Sequence, residues 1–272
     1  MKHNTTSSDL VLVETYPFGA RVLALNRPAK RNALSQTLIN SLLAELENAS
    51  TDPQIQSIII TGSQTIFSAG ADIKEIAELD GETARQQRYL ENLCHGMRNI
   101  RKPIIAAIEG KALGGGFELA LMADCIVATP EVEFRLPEIS IGLIPGAGGT
   151  QRLTAAIGKY RAMNMILLNQ PISGQEAYQL GLASKLVESG KALSGALEMA
   201  EQLGSKSPST ILLAKEAICR ADELQHDHEF ERSLYYTAFG TGDMMEGVSA
   251  FLEKRAPVWK NGRNIASPTM DQ

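Results

Sequence analysis

The residues best suited to chemistry sit in two small-residue turns and on two glutamates. The first turn is Ser68, Ala69, Gly70 and Ala71, within GSQTIFSAGADIKEI. The second is Gly114, Gly115 and Gly116, within GKALGGGFELALMA at 110–123. Lacking a Cβ, glycine lets backbone amides approach a ligand closely. The first amides of a helix have no internal partner and lie at the positive end of its dipole. Such a place suits an oxygen that gains negative charge during a reaction. Glu118 falls in the first turn of the helix after the glycines, and Glu138 follows twenty residues later. If the two turns converge, the N–H of Ala71 and the N–H of Gly115 can grip one oxygen from two sides. The carboxylates can then move protons at carbons next to that carbonyl. The competing reading is a tight turn feeding a core helix, with Glu118 stabilising its N-terminus. The residues alone leave both open.

The flanking elements must bring these pieces together. Residues 10–16 and 21–25 read as an antiparallel strand pair about the turn at Phe18-Gly19. Ser35 is the expected N-cap of a helix over 36–48, with Leu38, Leu42 and Leu46 on one face beside Ile39 and Leu43. Residues 55–61, 104–108 and 124–128 read as strands, the first two as buried ones. Asp72 is placed to cap a short helix, and residues 82–100 read as one long helix ended by Pro103. Ser173 and Glu176 fit a capping box. Further helices are expected near 191–204, 209–222, 227–239 and 243–255. The passage IGLIPGAGGTQRL at 141–153 is no dinucleotide fingerprint, because Gln151 stands where the third glycine belongs.

Composition narrows the classes. The 272 residues, 44% of them apolar, suffice for one large core. A net charge of −5 gives no basic footprint for nucleic acid. Cys94, Cys125 and Cys219 are odd in number and form no CxxC pair, which points to a reducing, cytoplasmic compartment. His226 and His228 read as a solvated helix end, so no metal site is expected. No apolar run reaches the roughly 20 residues of a membrane helix. The start, MKHNTTSSDL, carries no signal or transit pattern.

FSAGADIKEI, KPIIAAIEGKALGGGFELAL, FRLPEISIGLIPGAGGTQRL and EGVSAFLEKRAP together resemble the enoyl-CoA hydratase, or crotonase, family, from about residue 10 to 260. The resemblance implies an α/β fold, a crotonase-like spiral of repeated strand-strand-helix units with a C-terminal helical trimerisation region. The corresponding boundaries are a flexible 1–9, a spiral core over 10–200 and the helical region over 201–272. It implies an acyl-CoA thioester substrate, no cofactor beyond the CoA that is part of it, and a homotrimer or dimer of trimers. Ala71 and Gly115 would supply the oxyanion donors. Ala69, Ala71, Asp72, Ile73 and Lys74 would border the CoA chain and adenine. Lys30 and Arg31 would approach its phosphates, Gly146 would be an active-site loop glycine, and Lys254 would touch CoA across a subunit boundary.

Glu118 and Glu138 match the two hydratase carboxylates. The implied reaction is reversible addition of water to a trans-2-enoyl-CoA, as in fatty-acid β-oxidation, giving a 3-hydroxyacyl-CoA. Glu118 acts chiefly as base and Glu138 as acid. An isomerase of the same fold would need only one carboxylate to shuttle the proton. A non-catalytic RNA- or protein-binding member is the reading from another class, and the acidic charge balance disfavours RNA.

Overall fold

The computed structural model describes residues 9–223 and 227–259. Residues 1–8 of the expected flexible start, His226 and the last part of the expected helical region lie outside the described residues. The chain opens with β1 (Val11–Tyr16) and β2 (Ala20–Leu25), followed by α1 (Gln36–Thr51), β3 (Ser57–Thr61) and α2 (Ile73–Ala77). Then come α3 (Gly81–Gln86), α4 (Glu91–Asn99), β4 (Ile104–Ile108), β5 (Lys111–Leu113), α5 (Gly115–Leu121), β6 (Cys125–Ala128) and β7 (Glu133–Arg135). The second half adds α6 (Gly149–Ile157), α7 (Lys159–Leu167), β8 (Ile172–Ser173), α8 (Gly174–Gln179) and β9 (Lys185–Leu186). It ends with α9 (Ala192–Gly204), α10 (Pro208–Glu223), α11 (His228–Phe239) and α12 (Gly242–Glu253).

The larger sheet has the order β1-β2-β3-β4-β6-β9; only the β1–β2 pair is antiparallel. Its middle strands are buried on both faces, as their continuous apolar runs require. Ile59, Ile105 and Val127 face Ala192, Ala196 and Ala200 of α9, while Ile58, Ile60, Ile104 and Ile126 face the main core. Alanines on α9 let it sit close to the sheet. Ser35 caps α1 by accepting from the Leu38 N–H, and Leu38, Ile39, Leu42 and Leu46 are buried as the stripe predicts.

A smaller sheet, β5-β7-β8, runs beside the first. Isolated parallel bridges Leu34–Ala71 and Ser68–Ala112 extend the same stacking backwards. The chain therefore repeats one move: a strand in the large sheet, a short strand or bridge in the second layer, then a helical turn. β3 leads to 67–71 and α2, β4 to β5 and α5, and β6 to β7 and a 3-10 turn at Glu138–Ile141. Each repeat delivers its small residues or its glutamate at the same point in the move. α11 and α12 return to the same core through Tyr235, Tyr236, Phe239, Met244 and Val248.

The expected long helix over 82–100 is instead two, α3 and α4. Arg88 and Leu90 adopt left-handed φ values of 50° and 65° between them. That backbone costs about 1–2 kcal/mol per residue. It turns both Tyr89 and Leu90 into the core, where they are 5% and 2% exposed, and side-chain burial of this kind returns about 1.5–3 kcal/mol each. Arg232 secures the break by donating Nη1–H to the Tyr89 carbonyl at 2.9 Å. Helical periodicity in residues 82–100 did not reveal that two successive side chains both point inward.

Candidate active site

The first turn is held in place from the segment before α1. The Ala69 N–H donates to the Arg31 carbonyl, the Ser68 hydroxyl to the Asn32 carbonyl, and the buried Asn32 amide to the Phe67 carbonyl. From the other side the Leu113 N–H donates to the Ser68 carbonyl. Gly70, at φ 91°, turns the chain into Ala71. A Cβ on Gly70 would lie 2.8 Å from the Leu113 carbonyl oxygen, so this position has room for glycine alone.

The second turn meets the first. Gly114 has φ 50° and ψ −129° and donates its N–H to the Arg135 carbonyl. Gly115 is the first residue of α5, where an amide has no intrahelical acceptor. A Cβ built on Gly115 would lie 3.4 Å from the Ala71 nitrogen, and one built on Gly70 would lie 3.2 Å from the Gly115 nitrogen. Among the described residues neither the Ala71 nor the Gly115 N–H donates to any protein acceptor. Two unengaged amides from separate repeats thus stand side by side.

Glu118 lies one turn into α5 and is 1% exposed. Its Oε1 accepts two amides from the start of α6, Ala147 N–H and Gly149 N–H, each at 2.8 Å. Burial, first, and the negative charge of Glu231, second, push its carboxyl up to about 7, while the two amides and Arg232 pull the other way. Glu138 opens the 3-10 turn after β7. As a residue it is partly exposed, but its Oε2 is sealed from solvent without a hydrogen-bond partner. Its Oε1 would be 2.8 Å from a Cβ on Gly114, so it lies against the second turn. Burial and the charge of Glu118 hold the Glu138 carboxyl well above the usual carboxylate range.

Other expected site residues fall in three places. Asp72 caps α2 through the Lys74 N–H at 3.1 Å and pairs with Arg27 at 2.7 Å. Burial would raise its carboxyl, but Arg27 and the Lys74 amide outweigh burial and leave the pKa lowered. Lys30, close enough to act on Asp72, shares an exposed basic rim with Arg31 and Lys74 beside the first turn. Ile73 begins α2 and packs on the core. Gly146 belongs to the loop before α6, where a Cβ would lie 2.4 Å from the Tyr235 ring, so packing already accounts for its glycine. Lys254 ends α12, exposed and left-handed at φ 56°, without a hydrogen bond or ion pair to the others.

Two features escaped the sequence reading. Glu231 of α11 is 2% exposed and accepts the Gly148 N–H at 2.6 Å, the Thr150 N–H at 2.8 Å and the Thr150 hydroxyl. Arg232 beside it donates to Cys94 Sγ at 3.3 Å as well as to Tyr89. A signal for Glu231 exists: it stands four and eight residues before Tyr235 and Phe239, on the apolar stripe of α11. A broad groove of about 1560 Å³ along β1 and α1 contains none of these residues; convergence of groups, not size, marks this site.

Comparison with known proteins gives the family. Residues 18–263 match the family described as enoyl-CoA hydratase/isomerase. A probable mitochondrial enoyl-CoA hydratase of Dictyostelium discoideum is 46% identical over 242 residues, 88% of this chain and 87% of that one. The 2,3-dehydroadipyl-CoA hydratase of Escherichia coli (strain K12) is 44% identical over 88% of this chain and 94% of its own. The crystal structure of an enoyl-CoA hydratase from Bacillus anthracis superposes with a TM-score of 0.73 at 35% identity, covering 93% of this chain and 100% of that chain. With paired amides, paired glutamates and these relatives on one spiral scaffold, the chain belongs to the enoyl-CoA hydratase/isomerase family.

Proposed function

We propose that this chain is an enoyl-CoA hydratase, adding water reversibly to a trans-2-enoyl-CoA to give a 3-hydroxyacyl-CoA. The observation that carries the reading is the pair of unengaged amides, Ala71 and Gly115, beside two glutamates of raised proton affinity, Glu118 buried outright and Glu138 with its Oε2 sealed from solvent. The thioester oxygen accepts both amides, which polarises the conjugated double bond toward the carbonyl. A donor of this kind is worth about 3–4 kcal/mol at the transition state. Glu118, ionised, takes a proton from water as its oxygen bonds to the β-carbon. Glu138, protonated, delivers a proton to the α-carbon, so the enolate electrons return to form the new C–H bond. The environments that separate the two roles are the α6 amides, which support a charge on Glu118, and the unpartnered Glu138 Oε2, which favours the neutral acid. The chemistry calls on no metal or redox cofactor; CoA arrives as part of the substrate.

The basic rim of Lys30, Arg31 and Lys74 is assigned to CoA phosphates, and the backbone at Ala69 and from Ala71 through Asp72 and Ile73 to the CoA chain. Lys254 would serve a neighbouring subunit's CoA. A trimer, alone or paired, is supported by apolar side chains left outside: Tyr160, Met163 and Leu167 of α7 are 88%, 45% and 51% exposed. Sedimentation equilibrium reads that assembly directly. A cytoplasmic setting is supported by three cysteines that form no disulfide among the described residues. Among the described residues no helix is long and apolar enough to cross a membrane.

Loss of enoyl-thioester absorbance with crotonyl-CoA tests the activity. Double-bond migration in a 3-enoyl-CoA is followed in parallel. Hydration faster than migration is expected; migration without hydration overturns the hydratase reading.

A further inference from the structure

Four successive amides at the start of α6 are dealt alternately to two carboxylates. Ala147 and Gly149 donate to Glu118, and Gly148 and Thr150 donate to Glu231. The Thr150 hydroxyl also donates to Glu231. The opening amides of a helix need partners from elsewhere, and a single serine, threonine, asparagine or aspartate at the N-cap normally meets that need. Here a second carboxylate is buried beside the first. Burying a charge is costly unless it is well hydrogen-bonded, and two like charges close together oppose each other's ionisation. Simple anchoring of α11 to α6 does not require a glutamate.

We propose that Glu231 is a positioning residue for the hydration step: it locks the α6 amides that hold Glu118, and its negative charge strengthens Glu118 as a base. This rests on the hydratase reading above. On α11 stand Glu231, Arg232 and Tyr235; on α6 stands Arg152, whose Nη1–H donates to the Ala147 carbonyl at 2.8 Å. Cys94 of α4 and Glu138 complete the charged or titratable set, while the His228 ring lies against Gly148. Of these Glu231 acts to raise the proton affinity of Glu118 and Arg232 acts to lower it. Among the described residues Glu231 is the one carboxylate besides Glu118 that accepts these four α6 amides, so its removal changes the electrostatics without replacing a substrate-facing group.

The test is Glu231→Gln, which keeps the size and one acceptor but removes the charge. The acid limb of kcat/KM for crotonyl-CoA is expected to move down by about one pH unit, from the size of a like-charge interaction in a partly polar interior. kcat above the limb falls about threefold to thirtyfold as the base weakens, with KM changed less than about twofold. The Glu118 carboxyl, followed by carbonyl-region infrared difference spectra and assigned by Glu118→Gln, titrates lower by the same amount. Should Glu231→Gln fail to fold, Thr150→Ala serves: it strips a donor from Glu231, leaves its charge less compensated, and moves the limb upward instead. A limb and a carboxyl titration that stay in place overturn the proposal, whatever happens to the melting temperature. Absence of hydratase turnover in the unaltered protein would instead sink the function, and the infrared titration would still report whether Glu231 acts on Glu118.

Discussion

Gly149 gives its N–H to Glu118 Oε1 at 2.8 Å, and a Cβ placed on Gly149 would lie 2.7 Å from that same oxygen. The donor and the space in front of it belong to one residue. A methyl group there cannot be absorbed by a flexible neighbour, because Pro145 Cβ stands 2.9 Å away on another side. Gly149→Ala is therefore expected to push Glu118 off its amides. Hydration of crotonyl-CoA should fall by about 10- to 100-fold, in line with misplaced catalytic groups elsewhere. Steady-state kinetics beside a thermal melt would separate this from unfolding.

Removing either acid should be more severe. Glu118→Gln and Glu138→Gln are each expected to cut kcat by at least about 100-fold, the scale of general acid–base catalysis. Binding of a saturated acyl-CoA, measured by calorimetry, should survive because the amides and the basic rim are untouched. Near-normal turnover in either variant would remove the two-carboxylate mechanism.

The proposed oxyanion donors can be addressed through one amide. Proline is well tolerated at the first position of a helix, and Gly115 occupies that position in α5. Gly115→Pro thus deletes the donor with limited cost to the helix. We expect kcat/KM to drop by about 100- to 1,000-fold, the known scale for one such donor, and the melting temperature to change far less in proportion.

The raised carboxyl of Glu118 also sets a pH signature. Its folded value near 7 lies above the ordinary 4.5, so it is mostly protonated, and idle as a base, below neutrality. Activity should rise with pH through about 7. Stability runs the opposite way. Between about 4.5 and 7 the folded state holds a proton that the unfolded chain has released, so the Glu118 contribution to stability declines as pH rises. Glu118→Gln should accordingly gain in melting temperature relative to the parent from pH 5 to pH 8. Melts at both values check the sign, and a variant that loses ground to the parent between pH 5 and pH 8 would contradict it.

Local chemistry made much of this molecule legible. The Ser35 and Asp72 caps, the Ser173–Glu176 capping box, the leucine stripe of α1 and the apolar runs of β3 and β4 all depend on neighbours within a few residues. Both small-residue turns and both glutamates stood out for the same reason. What escaped depends on distant partners. β8 and β9 are two residues long and exist only by pairing with β7 and β6. The break at Arg88–Leu90 follows from where Tyr89 and Leu90 must be buried. Glu231 meets α6 across more than eighty residues of chain, and a polar residue on an apolar stripe is its only local trace.

That last span has a consequence for how the protein comes to be. The α6 amides cannot all be claimed until α11 has been synthesised and has docked. A chain emerging from the ribosome would thus have its sheet, its glycine turns and both glutamates well before Glu118, the proposed base, is fully set. Working chemistry arrives late in biogenesis, after the greater part of the scaffold is already built.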